Sequence, residues 1–113
     1  VKRTPITEFI SIRQNGKKAI VLKEDDELLA VKLVEGSELI SIASSNGKMV
    51  KFPAESVRLM GRSAAGVKGI ELVDDAEAIS LTTSSEGDKI LVISEKGYGK
   101  RTDVSEYKVQ NRN

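Results

Sequence analysis

The side chains that most often carry chemistry are scarce in this chain. Its 113 residues include neither His nor Cys, which removes the usual nucleophile–base pairs, thiolate chemistry, disulfides and Cys/His zinc sites. Asp25-Asp26 and Asp74-Asp75 carry the oxygen ligands that hard cations take. Each pair, however, falls between two candidate strands, where Asp serves the turn by local hydrogen bonding, and the turn reading is the stronger. The stretch GRSAAGVKG (Gly61–Gly69) has the glycine spacing of a phosphate loop, but Val67 stands where that loop needs its Lys and the flanking elements read as strands. Its glycines serve tight turning of the backbone between units. Tyr98 and Tyr107 have no acid–base neighbours. Nothing in the chain reads as catalytic or metal-ligating.

The basic residues are patterned instead. Lys2–Phe9 reads KRTPITEF and Lys100–Tyr107 reads KRTDVSEY, nearly the same phrase at both ends. Between them the chain repeats with a period of fifty. Residue i over i+50 needs no gap from Gly16 to Val57, with identities at Gly16/Gly66, Lys18/Lys68, Ile20/Ile70, Leu22/Leu72, Asp25/Asp75, Glu27/Glu77, Ile40/Ile90, Ser44/Ser94 and Gly47/Gly97. Lys2-Arg3-Thr4, Val50-Lys51-Phe52 and Lys100-Arg101-Thr102 share one repeat position, and Phe9, Val57 and Tyr107 share an apolar one, which makes Tyr107 a packing residue. Two residues are missing between Phe9 and Gly16.

The elements that must position these residues are strands. The first unit predicts strands at Lys18–Leu22, Leu28–Leu33, Glu38–Ser44 and Lys48–Pro53, and the second at Lys68–Leu72, Ala78–Thr83, Lys89–Ser94 and Gly99–Thr102. Leu39, Ile40 and Ile42, like Ile90–Ile93, have the aliphatic and β-branched density of strands. Asn46-Gly47 predicts a type I′ hairpin, with Lys96-Gly97 as a weaker equivalent. EDDELLAVKLVEG has some helical propensity, but its counterpart DDAEAISLTTSSEG is rich in Ser and Thr, so strands are preferred. Four strands per repeat of this length is a propeller-blade signature, and two blades do not close a ring. The expected architecture is all-β: a fragment of about two four-stranded blades, with units at 10–57 and 60–107 and residues 1–9 ending a preceding repeat. The chain also opens on Val in mid-phrase, so it reads as a piece of something longer.

Hydrophobic residues make up 39% and aromatics only 4%, so the core must be aliphatic. No apolar run is long enough to cross a membrane, and no signal peptide opens the chain. A reducing, cytoplasmic setting is the expectation. The net charge of +1 hides an alternation of +4, −4, +3, −4 and +2 over residues 1–22, 23–46, 47–72, 73–94 and 95–113. On stacked repeats, equivalent positions recur at equivalent places, so the bases should gather along one rim. Such a stripe is the footprint of a polyanion. The competing reading, which charge alone favours, is charge scattered over sheet edges to block aggregation.

VKRTPITEF, GRSAAGVKGIEL and EKGYGKRTDVSEY, in this order, resemble the C-terminal domain of the DNA gyrase A subunit, with the related domain of the topoisomerase IV A subunit a close second. The similarity covers essentially the whole chain. It implies a β-pinwheel, a propeller variant in which neighbouring repeats exchange strands, and a basic rim that binds and bends duplex DNA in support of ATP-dependent negative supercoiling. The rim positions it implies are Lys2, Arg3, Lys51, Lys100 and Arg101, joined by Arg13, Lys17, Lys18, Arg58, Arg62 and Lys68 from the inter-blade stretches. The family's Gln-Arg-Arg-Gly-Gly-Lys-Gly box is not present intact, and Gln110–Asn113 is only basic and glycine-poor. The implied partners are double-stranded DNA, the remaining blades and N-terminal part of the gyrase A subunit, and the gyrase B subunit. No cofactor is expected in this piece, ATP and Mg belonging to the parent isomerase, and the implied setting is the bacterial cytoplasm near the nucleoid. The rival class of function is a blade-type protein-interaction scaffold.

Overall fold

A computed structural model describes residues 1–112; Asn113, the last residue of the Gln110–Asn113 segment, lies outside the described residues. The architecture is all-β. Its strands are β1 (Leu39–Ser44), β2 (Met49–Pro53), β3 (Ala78–Thr83), β4 (Lys89–Ile93) and β5 (Gly99–Asp103), with short 3-10 turns at Ile6–Phe9, Ala54–Ser56 and Val104–Glu106. No helix forms across 26–33.

The hairpins close differently from the type I′ expectation. Gly47 donates to the Ser44 carbonyl at 3.0 Å while Ser44 donates to the Lys48 carbonyl at 2.9 Å. Among the described residues only Asp25 and Asp74 are non-glycines with positive φ, so Asn46 is not left-handed, whereas Gly47 sits at φ +81°. This is the three-residue loop in which a type I turn is followed by a left-handed glycine bulge. Ser94–Tyr98 repeats it, with Gly97 at φ +86°. The turn tolerates Asn or Lys before the glycine for that reason.

The sheets are not built one per sequence unit. β1 pairs antiparallel with β2, Ile42 opposite Val50, and also antiparallel with β3 from the second unit, Ile42 opposite Leu81. The sheet order is therefore β2-β1-β3, and β4 and β5 form a separate two-stranded sheet with Val92 opposite Lys100. The expected strands at Lys18–Leu22, Leu28–Leu33 and Lys68–Leu72 do not form: these segments make no ladder with any described residue.

The core lies on the three-stranded sheet: Ile40, Ile42, Val50, Phe52, Ala54 and Val57, with Phe52 fully buried and Val34, Met60, Val67, Ile70, Ala78 and Leu81 packed against it. Burial of each large aliphatic or aromatic side chain there contributes about 1.5–3 kcal/mol. Of the equivalent second-unit positions, Val92 and Lys100 are exposed and Ile90, Thr102, Val104 and Tyr107 only half-buried, while the neighbouring Leu91 and Ile93 are each 64% exposed.

Successive units are tied by a repeated parallel bridge, Arg3 to Leu59 and Lys51 to Val109. Met60 donates to the Arg3 carbonyl at 2.9 Å and Gln110 to the Lys51 carbonyl at 2.8 Å. The segment before the bridge explains two glycines of the 61–69 loop. A Cβ on Gly66, at φ +107°, would stand 2.4 Å from the Val1 carbonyl oxygen, and one on Gly69 would stand 2.7 Å from a Val1 methyl. These glycines make room for the close approach of Val1 and Lys2.

Candidate nucleic-acid interface

One cluster of positive charge is built by a turn and an arginine. Gly16, left-handed at φ +82°, lets its amide close onto the Arg13 carbonyl at 2.9 Å, which folds 13–16 into a tight projection. Lys17 follows and donates to the Ser11 carbonyl at 3.2 Å. Arg62 reaches across from the second unit and donates from its guanidinium to the Lys18 carbonyl at 2.8 Å. The result is an open groove of about 400 Å³ lined by Ser11, Arg13, Asn15, Gly16, Lys17, Lys18 and Arg62. Four of its seven lining residues are cationic and none is acidic. Lys18 and Arg62 also line an adjoining groove with Glu8, Gly61 and Ser63.

The Arg62 contact recurs one repeat later, where Arg112 donates to the Lys68 carbonyl at 2.7 Å and to the Ser56 carbonyl at 3.1 Å. Arg112 lies fifty residues after Arg62, so the period alone could have marked it, but the gapless alignment ends before it. Lys68 stands exposed, 3.5 Å from the Glu71 carboxylate, and a pair this open exerts little hold on its charge.

The positions expected on the rim divide into two groups. Lys100 and Arg101 on β5, and Arg58 after the Ala54–Ser56 turn, are exposed. Lys51 is not on the rim: it is 5% exposed, and its ammonium donates to the Val104 carbonyl at 2.7 Å. Arg3, at the same repeat position, is half-buried and donates from Nε to the Val57 carbonyl at 2.7 Å. Lys2 donates at 2.7 Å to both the Ala19 and Arg62 carbonyls. Burial first, and the charge of Arg62 second, lower the Lys2 pKa. In these three the cation is committed to the backbone of a neighbouring unit, because the segment carrying it bridges to the next unit, Arg3 to Leu59 and Lys51 to Val109.

The structure thus gathers Arg13, Lys17, Lys18 and Arg62 into one groove, leaves Arg58, Lys68, Lys100 and Arg101 exposed elsewhere, and turns Lys2, Arg3 and Lys51 inward. Among the described residues no cluster of three or more acidic side chains could hold a metal ion, and no helix is long and apolar enough to cross a membrane.

A family model described as the DNA gyrase C-terminal domain, beta-propeller, matches residues 1–35, 38–85 and 88–113. Its middle segment contains β1, β2 and β3 together. The chain is 45% identical over 114 aligned positions to the DNA gyrase A subunit of Staphylococcus aureus strains MRSA252 and NCTC 8325, covering 99% of this chain and 13% of each relative. It spans, therefore, about an eighth of the length of those relatives. Among solved structures, the C-terminal domain of DNA topoisomerase IV superposes with a TM-score of 0.88 at 27% identity, covering 98% of this chain and 35% of that one. The DNA gyrase A C-terminal domain superposes at 0.76 and 28% identity, covering 88% of this chain and 34% of that one.

Proposed function

Because the chain belongs to the DNA gyrase C-terminal domain family, we propose that it is a non-catalytic module of a type II topoisomerase that binds the duplex backbone and wraps it. The observation that carries this reading is the groove with four cations and no carboxylate. Phosphate contacts made by Arg and Lys are independent of base sequence, which suits a surface that must hold DNA wherever the enzyme works. The proposed contacts are Arg13, Lys17, Lys18 and Arg62 in the groove, with Arg58, Lys68, Lys100 and Arg101 as further exposed cations. Lys2, Arg3 and Lys51 support the surface by joining units.

The module works with the rest of the gyrase A subunit, the gyrase B subunit and DNA in the bacterial cytoplasm. ATP and Mg serve the parent enzyme outside these residues. Resemblance to gyrase in sequence and to topoisomerase IV in shape leaves the type II topoisomerase role common to both readings.

The test is duplex binding across a salt series. Neutralising Arg13, Lys17, Lys18 and Arg62 together should flatten the slope of log K against log salt by about 3–4, at roughly 0.9 per contact. A parent enzyme carrying the same changes should still cleave and rejoin DNA but supercoil poorly. An unchanged affinity and slope would instead favour a protein-interaction scaffold, whose apolar contacts respond little to salt.

A further inference from the structure

We propose that Asn15 is a site of spontaneous deamidation, promoted by the cations around it, and that its carboxylate product weakens the basic groove.

Asn15 precedes Gly16, and the chain holds a second Asn-Gly pair at Asn46-Gly47. A glycine after asparagine lets the backbone nitrogen approach the side-chain amide, since no Cβ obstructs it. The two pairs sit in the same kind of turn. Gly16 and Gly47 are left-handed at φ +82° and +81°. Each amide closes onto the carbonyl three residues back, Arg13 at 2.9 Å and Ser44 at 3.0 Å. Two differences separate them.

The first is what holds the turn. Asn46 lies in the hairpin between β1 and β2, where Ser44 is only 2% exposed, and its amide oxygen accepts the Ser44 hydroxyl. Residues 13–16 are all exposed and belong to no ladder among the described residues. A turn with so few buried contacts opens more often. The exposure is a property of the turn: Ala65, fifty residues on, is exposed as well, although Val1 and Lys2 crowd its neighbour Gly66.

The second is charge. The attacking group is the Gly16 amide after loss of its proton, an anion, and the tetrahedral intermediate carries its negative charge on the Asn15 side-chain oxygen. Nearby cations favour both. Arg13, Lys17, Lys18 and Arg62 line the groove with Asn15, and no carboxylate does. The Asn46 turn is instead bonded to the backbone of an acidic residue. Ser45 donates its amide to the Glu77 carbonyl at 2.8 Å, and the Glu77 amide donates to the Ser45 hydroxyl at 2.9 Å.

In the reaction the Gly16 amide gives its proton to solvent and its nitrogen bonds the Asn15 Cγ. The Cγ–Nδ2 bond then breaks, and the nitrogen leaves as ammonia with a proton from water. Water opens the resulting succinimide at one of its two carbonyl carbons, leaving aspartate or isoaspartate at position 15. The balance is one neutral amide and one water converted to a carboxylate and an ammonium ion. The new carboxylate stands among four cations and cancels part of their field. That loss of binding rests on the duplex-binding reading above; the deamidation itself does not.

The chain is aged at mildly alkaline pH and both sites are followed by peptide mapping and mass spectrometry. Asn15 should deamidate about tenfold faster than Asn46, the effect of one unit in the acidity of the attacking amide. Molar salt should remove most of that advantage. Asn15→Asp should flatten the salt slope of duplex binding by roughly 0.9, one contact, and aged chain should approach the same slope. Equal rates at the two sites, or an advantage that salt leaves intact, would overturn the cation-promoted site. An unaltered slope in Asn15→Asp, where joint neutralisation of the four cations does lower it, would overturn the effect on the groove. If that joint neutralisation also leaves the slope unaltered, the duplex-binding reading fails, and the two deamidation rates still decide the site.

Discussion

The guanidinium of Arg62 holds the Lys18 carbonyl at 2.8 Å across the boundary between units. Arg62 therefore both contributes charge to the basic groove and fixes the backbone of the residue beside it, and its removal affects more than one charge.

Arg62→Ala should consequently flatten the salt slope of duplex binding by more than the roughly 0.9 expected for one phosphate contact. Fluorescence anisotropy with a labelled duplex at several salt concentrations measures this. A loss of 0.9 or less would mean that Arg62 acts as a single charge and that the 13–18 segment holds its shape unaided.

Lys51 and the β5 cations should behave in opposite ways. Lys51→Met keeps the buried stem but removes the charged hydrogen bond to the Val104 carbonyl, which keeps the Tyr107 amide at 3.1 Å, at a cost of about 1.5–3 kcal/mol and several degrees of Tm, with the salt slope unchanged. Lys100→Ala with Arg101→Ala should stay within about 0.5 kcal/mol of the parent stability and lower the salt slope instead. Calorimetry and anisotropy on the same two proteins separate the outcomes.

Gly66→Ala should destabilise the chain more than Gly16→Ala, although both glycines are left-handed. A Cβ at Gly16 meets nothing within 4 Å, while one at Gly66 would meet the Val1 carbonyl at 2.4 Å. Urea midpoints compare the two. Faster hydrogen exchange at the Val67 amide, which donates to Val1 at 2.7 Å, would locate the damage.

Stability should fall in acid through two turn carboxylates. Chiefly the Ser85 hydroxyl, and then the Glu35 amide, hold the Glu38 carboxyl below its ordinary value of 4.5; Lys32, and then the Thr83 amide, do the same for Glu86. A carboxylate whose folded pKa is depressed stabilises the fold above its unfolded pKa and loses that contribution as the pH falls through the folded value. Tm should therefore decline below about pH 4.5, and Glu38→Gln with Glu86→Gln should lower Tm at neutral pH and flatten the decline. An unaltered acid limb in the double variant would assign the loss to other groups.

Periodicity made the all-β class and the strand positions of β1 to β5 legible, because apolar density and turn glycines are local signals. Which strands pair was not legible in the residue pattern: the pairing of Ile42 with Leu81 depends on how one unit leans on the next. The turn in which Glu35 and Glu38 bond each other recurs with Thr83 and Glu86, two residues short of the fifty-residue period, and the sequence hid this because Gly87-Asp88 restores the period before β4. The candidate cations were implied by the resemblance as one set, and the residue pattern could not separate Arg13, Lys17, Lys18 and Arg62, which line one groove, from Lys51, whose ammonium is held by the Val104 carbonyl of another unit. Arg112 was missed although the same period predicts it.

The pairing of β1 with β3 also sets how the chain reaches this state. Ser44 and Ala78 pair only after the thirty-odd residues between them have closed into a loop, so the entropy of closure is lost before the central sheet forms. Topologies of this kind fold slowly compared with helical domains of the same length. Neither fifty-residue unit completes that sheet alone, so the two should melt as one cooperative transition, and a ribosome must release β3 before β1 acquires its second neighbour.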